Sequence, residues 1–251
     1  MINSLVTALR TLTIVPVPGQ ETKRFADALP WFPLVGLLIG LAVVAVIRAA
    51  GWIGLYTWPA GTAILALVTG IALTGGLHLD GLADWADGFW GGKDRESALR
   101  IMKDPRIGSF GGIALVLVLL TRWACLTRII SHGGTAWILA AAMLSRFMQV
   151  DLACSRPYAR ADGGTAAPFI EGAGRRQWLL AMAGMLTGLM VLSLHNPFIG
   201  LSVIPCWIGN RLFGEWCQRR VGGITGDLLG TASELIETAV LWFGAVQGPI
   251  A

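Results

Sequence analysis

The chain has 251 residues, 55% of them hydrophobic and only 14% charged, with a formal net charge of +4. Soluble domains carry about 25% charged residues, so this composition excludes an ordinary soluble domain and points to an integral membrane protein. It holds no long basic run and no basic-aromatic platform, which excludes nucleic acid as a partner, while the excess of bases suits loops facing anionic lipid or an anionic substrate.

At the N-terminus, Ile2, Leu5, Leu9 and Leu12 recur at helical spacing, with Asn3, Thr7 and Arg10 off the stripe. This predicts a helix lying at the membrane interface and ending at Pro16 and Pro18. No basic segment precedes an apolar run there, so nothing reads as a cleaved signal. Seven spans follow, over about 33–50, 60–77, 112–130, 135–153, 178–194, 198–216 and 232–247, the sixth bent at Pro205. Gly36 and Gly40, and again Gly184 and Gly188, are four apart, which predicts close helix contacts. The expected fold is all-α: one polytopic transmembrane bundle forming a single catalytic domain over residues 1–251. Cys125, Cys154, Cys206 and Cys217 form no C-x-x-C pair and read as free thiols packed among apolar residues.

Basic residues set the orientation. With the N-terminus in the cytoplasm, fourteen of the nineteen Lys and Arg fall in cytoplasmic segments. The outer turns near Gly51–Pro59, Ser131–Gly134 and His195–Pro197 contain none. Under the positive-inside rule every charged loop then faces the cytoplasm, and the C-terminus lies outside.

Charge of both signs concentrates in residues 74–112, between the second and third spans. Asp80, Asp84 and Asp87 are spaced i, i+4, i+7, which on a helix lines them on one face about 5–6 Å apart at Cβ. Carboxylates so placed repel one another unless a cation sits among them, and hard oxygen ligands suit Mg²⁺ or Mn²⁺. Lys103 and Arg106 follow in IMKDPRIGSFGG and read as a phosphate clamp or as topology signals. Asp104 adds a ligand or orients Arg106. Arg156 and Arg160 stand in SRPYARADGG at the cytoplasmic end of the fourth span. Arg146 and Asp151 within that span are functional candidates or a structural pair. In GGITGDLLGTASELIE the glycines form a tight turn that sets Asp227 at the start of the last helix. Glu234 and Glu237, i and i+3, fit the positive end of that helix's dipole. His78, two residues before Asp80, is a candidate contact to substrate or metal. His132 and His195 fall in outer turns.

The segments TGGLHLDGLADWADGFWGG, RIMKDPRIGSFGG, RPYAR and GGITGDLLGTASELIE, with FPLVGLLIG near the N-terminus, resemble the cobalamin synthase family, the adenosylcobinamide-GDP ribazoletransferases. They span nearly the whole chain in the family's order. Leu79 and Trp85 stand where many relatives carry Glu and Thr. The resemblance implies that α-ribazole, or its 5′-phosphate, attacks adenosylcobinamide-GDP to give adenosylcobalamin, or its phosphate, and GMP. It implies Mg²⁺ as cofactor, held by Asp80, Asp84, Asp87 and Asp227. Asp84, Asp87 and Asp227 are then the catalytic set, and His78, Lys103, Arg106, Arg156, Arg160 and Glu234 the substrate-binding set. It also implies a multi-pass protein of the cell inner membrane with its active site facing the cytoplasm, and leaves a homo-oligomer open. The acid motif is similar in logic to that of the CDP-alcohol phosphotransferases, although their Ala-Arg after the first acids is missing.

The competing reading is a cation or metal-ion transporter using the same acids. It predicts carboxylates near the bilayer midplane on broken helices, whereas most acids here gather with bases at one face. Duplicated halves of the kind many transporters carry are not visible.

Overall fold

The computed structural model describes residues 1–194 and 196–247, so His195 lies outside the described residues. The chain is helical, and among the described residues extended pairing is limited to a single bridge between Tyr158 and Ile224. The helices are α1 (Ile2–Leu12), α2 (Phe32–Trp52), α3 (Pro59–Thr74), α4 (Leu77–Gly91), α5 (Arg95–Ile101), α6 (Ser109–Ser131), α7 (Ala136–Ser155), α8 (Ala167–Glu171), α9 (Arg175–Ser193), α10 (Phe198–Leu201), α11 (Val203–Val221) and α12 (Gly226–Gln247). A 3₁₀ turn, Phe25–Trp31, leads into α2.

Four helical stretches are long and apolar enough to cross a bilayer: Phe25–Trp52, α6, α7 and α12. α3 and α4 make a fifth only if their two limbs, bent by 88°, count as one span. The expected seven is therefore not reached on length and composition. α9 and α11 have the length, at 19 residues each, but carry Arg175 and Arg176, and Arg211, Glu215, Arg219 and Arg220. The sixth expected span breaks at Ser202, between α10 and α11, rather than at Pro205. Pro205 sits in the first turn of α11, where no intrahelical N–H bond is lost.

α7 is the central post, buried along almost its whole length. Gly36 and Gly40 of α2 lie directly against Ala142 and Leu139 of α7, the close contact their spacing predicts. The other side of α7 meets α12. Asp151, fully buried in α7, ties two further helices to it. It accepts hydrogen bonds from Trp178 Nε1 of α9 at 2.9 Å and from Asn210 Nδ2 of α11 at 3.1 Å, and pairs with Arg211 at 2.8 Å. An Arg146–Asp151 pair is thus not formed. One helical turn separates Arg146 from that cluster, and its guanidinium bonds to Glu237 of α12 instead.

α1 buries Ser4, Val6, Thr7, Ala8 and Leu12, leaving Ile2 79% exposed. Its inward face mixes apolar and small polar side chains, while Asn3 and Arg10 face outward beside Ile2.

The turn that shapes the site is at Gly75 and Gly76. Both are left-handed, with φ of +62° and +72°, a conformation that side-chain-bearing residues adopt only at a cost of about 1–2 kcal/mol each. Two in succession stop α3 and send α4 off at nearly a right angle. The helix of the expected second span consequently ends at Thr74, and α4 is a separate helix at nearly a right angle to it.

Candidate active site

α4 crosses α12 at very short range. A Cβ on Gly81 would lie 2.7 Å from the carbonyl oxygen of Asp227, and one on Gly230 would lie 3.2 Å from the Cα of His78. Thr231 Oγ1, between these contacts, lies 3.0 Å from the Gly81 carbonyl and 2.8 Å from that of Asp227. Two residues without side chains thus bring the first turn of α12 against the acidic helix. Asp227 is placed beside Asp84 although 143 residues separate them in the sequence.

Asp80 and Asp84 line a cleft of about 900 Å³. The loop between α5 and α6 supplies Lys103, Asp104 and Arg106, and the end of α1 supplies Arg10, Thr13 and Ile14. Ile14 N–H donates to the Leu73 carbonyl at 2.8 Å, which holds that end of the chain at the α3–α4 bend. Burial and the neighbouring carboxylates of Asp227 and Asp80 push the Asp84 carboxyl up to about 7. Asp104 is drawn the other way, down to about 2, by the side chain and N–H of Arg106.

Arg160 reaches Asp227 from the Tyr158–Asp162 segment, with Nη2 at 2.8 Å from Oδ2, and the Thr225 hydroxyl donates to the same oxygen at 3.2 Å. Lys103 pairs with Asp162, and Arg106 pairs with Asp104 at 2.7 Å while remaining 87% exposed in its side chain. Lys103 and Arg106 thus stand beside carboxylates at the exposed mouth of the cleft, while the Arg160–Asp227 pair is set deeper.

Four expected site residues lie elsewhere. Asp87 turns to α6: its two oxygens accept the N–H groups of Gly108 at 2.7 Å and Gly111 at 2.9 Å. A carboxylate at the positive end of a helix is satisfied there, so Asp87 caps α6 rather than facing the cleft. The three acids share an arc of only about 60°, but Asp87 stands about 10 Å along the helix axis from Asp80, which is why the third acid can serve a different neighbour. His78 is buried on the opposite side of α4 with Nε2 2.9 Å from Gln149 Nε2, and does not line the cleft. Glu234 is also buried, paired with Arg122 of α6 at 2.9 Å. Because α12 starts at Gly226 rather than near Ala232, Glu234 and Glu237 stand two turns in, beyond the reach of the helix dipole. Arg156 pairs with Glu215 of α11 at 3.1 Å, away from the cleft.

Among the described residues no three His, Cys, Asp or Glu side chains stand close enough together to hold a metal ion on their own. Asp80 and Asp84 remain as open carboxylates facing the cleft. That donor set fits Mg²⁺, which is commonly bound through one or two carboxylates with water and substrate phosphates completing the shell. The repulsion felt at Asp84 is what a cation would relieve.

Arg10, Thr13 and Ile14 were not legible as site residues from sequence. The nearest signal was that Arg10 lies off the apolar stripe of α1, which marks it as polar without saying what it faces.

Residues 4–245 match the profile of the family described as cobalamin-5-phosphate synthase. The chain is 50% identical over 254 residues to the adenosylcobinamide-GDP ribazoletransferase of Chlorobaculum parvum, covering 98% of this chain and 95% of that one. It is 49% identical to the protein of that name in Chlorobaculum tepidum, covering 98% and 96%. With the one in Ralstonia pickettii it shares 38% identity over 95% of this chain and 93% of the other. No solved structure matches it.

Proposed function

We infer the chemistry of the cleft from one premise: this chain belongs to the cobalamin-5-phosphate synthase family. It is a transferase that joins adenosylcobinamide-GDP to α-ribazole or its 5′-phosphate, releasing GMP, in cobalamin biosynthesis. The match across nearly the whole chain carries this reading. A transport function has no comparable support.

The reaction is a displacement at phosphorus. A ribose hydroxyl of the acceptor attacks the phosphorus joined to the corrinoid, and the bond from that phosphorus to the GMP oxygen breaks. Such a step needs mainly positioning and neutralisation of developing charge. In our reading the pyrophosphate lies in the cleft, where Lys103 and Arg106 face it. Both can exchange a carboxylate partner for a phosphate oxygen, because both pairs are at the exposed mouth. Asp227 takes the proton of the attacking hydroxyl, and Arg160 holds its carboxylate in place. Asp80 and Asp84 would hold Mg²⁺, with Asp227 beside them, and the bound ion would supply charge neutralisation on the pyrophosphate.

The same reading has the protein in the cell inner membrane with the cleft at the cytoplasmic face. α3, α9 and α11 join the four apolar stretches to give seven spans, because the basic residues at the ends of α9 and α11 belong to cytoplasmic loops. Reporter fusions at Gly92 and at the C-terminus should then report opposite sides, and equal signals would exclude the seven-span topology.

The activity is tested with purified protein in lipid nanodiscs. GMP release from adenosylcobinamide-GDP should require both α-ribazole, or its 5′-phosphate, and Mg²⁺. Acceptor-independent release of GMP would make the protein a hydrolase, and undiminished release in chelator would remove the metal.

A further inference from the structure

A second cavity adjoins the cleft. It measures about 420 Å³ and lies between α5 and the Ala159–Asp162 segment, with Arg95, Arg100, Lys103 and Arg160 in its walls. That volume is in the range of small-molecule sites, about 300–1,000 Å³. Lys103 borders both cavities, and Arg160 reaches from the second one to Asp227.

The charge in this basin is not balanced internally. Lys103 is paired with Asp162 and Arg160 with Asp227. Arg95 uses its guanidinium on two backbone carbonyls, Val221 at 2.8 Å and Ala159 at 2.8 Å, and so keeps its charge while fixing the wall in place. The ion pairs found among the described residues do not include Arg100, which stands exposed at the rim. Glu96 is the remaining acid of the lining. Two guanidinium charges held at a concave surface, one of them on a rigid wall, suit a phosphate dianion.

We propose that this basin is the acceptor subsite, and that Arg100 and Arg95 hold the 5′-phosphate of α-ribazole 5′-phosphate there. The assignment rests on the transferase reading above. A two-substrate displacement needs its partners in adjoining pockets that meet at the reacting atoms; Lys103 lines both cavities, and Arg160 of the second one pairs with Asp227. The 5′-phosphate is unchanged in the reaction, since the attacking group is a ribose hydroxyl. It therefore acts as a handle: its contacts contribute to acceptor binding and are the same before and after the displacement. The donor, with its pyrophosphate in the larger cleft, does not touch Arg100.

The test separates the two acceptors. GMP release is measured at saturating adenosylcobinamide-GDP with α-ribazole 5′-phosphate and with α-ribazole, for wild type, Arg100→Ala and Arg100→Glu. Loss of one charge-assisted contact should raise KM for the phosphorylated acceptor about tenfold to hundredfold, more for the charge reversal. KM for unphosphorylated α-ribazole and KM for the donor should stay within about twofold. Equal rises for both acceptors, or a rise confined to the donor, would overturn the assignment. Calorimetric binding of α-ribazole 5′-phosphate without donor gives a readout independent of turnover. It should weaken by the same factor in Arg100→Ala, and unchanged affinity would overturn the subsite. Phosphate-dependent binding together with absent GMP release in wild type would instead sink the transferase reading while leaving the anion site standing.

Discussion

Arg160 and Asp227 form an ion pair, Nη2 to Oδ2 at 2.8 Å, that joins the Tyr158–Asp162 segment to the first turn of α12. Its side chains are only 12% and 24% exposed, so the pair is far less screened than one in open water. Removing Arg160 leaves a largely desolvated carboxylate without its cation. Arg160→Ala should therefore lower kcat by about 10²-fold or more, by letting Asp227 take a proton or turn away. Arg160→Lys, which keeps the charge but not the fork, should recover part of that loss. Single-turnover GMP release at saturating substrates measures it, and unchanged kcat in Arg160→Ala would remove Asp227 as the base.

Asp84 gives a pH signature. Its folded-state carboxyl titrates near pH 7, well above an unfolded aspartate, so the folded protein binds the extra proton between about pH 4 and 7. The sign follows: ionising Asp84 disfavours the metal-free fold above pH 7, and this penalty disappears as pH falls toward 4. A proton and Mg²⁺ compete for the same carboxylate, so apparent Mg²⁺ affinity should fall up to about tenfold per pH unit below 7. Asp84→Asn should abolish this slope and reduce turnover by about 10²-fold or more. An unaltered Mg²⁺ titration in the variant would place the ion elsewhere.

Asp87 should behave as a structural residue. It accepts two N–H groups at the start of α6, and loss of an N-terminal cap typically costs about 0.5–2 kcal/mol. Asp87→Ala should lower thermal stability by that order and leave Mg²⁺ affinity nearly unchanged. The opposite pattern, intact stability with lost Mg²⁺ binding, would return Asp87 to the metal set.

Glu234 and Arg122 are 5% and 7% exposed in their side chains and pair at 2.9 Å inside the bundle. Breaking a buried pair by removing one partner typically costs about 3–5 kcal/mol. Arg122→Leu should therefore reduce the yield of folded protein, and the double variant Arg122→Leu, Glu234→Leu should recover much of it. KM values of whatever folds should match wild type. A selective rise in substrate KM in the double variant would restore Glu234 to substrate binding.

Composition, hydropathy and motif order carried the all-helical architecture with its long apolar helices, the family and the acidic helix, because each is written in residues close together in the chain. The i, i+4 spacing of Asp80 and Asp84 is local in the same way, and both face one cleft. Three matters were decided only in three dimensions. The two left-handed glycines, Gly75 and Gly76, turn α4 out of the line of α3, a backbone choice that hydropathy does not register. The partner of each charge was not legible either. Arg146 chose Glu237, Asp151 chose Arg211, Arg122 chose Glu234, and Asp87 chose the N–H groups of α6. A buried charge is satisfied by whichever opposite charge or dipole the helix packing brings within about 3 Å. That proximity is set by close crossings such as Gly81 on Asp227, between residues far apart in sequence. For the same reason Arg10 and Thr13 enter the cleft unannounced: their place depends on where α1 docks against the α3–α4 bend, and no spacing within α1 encodes that.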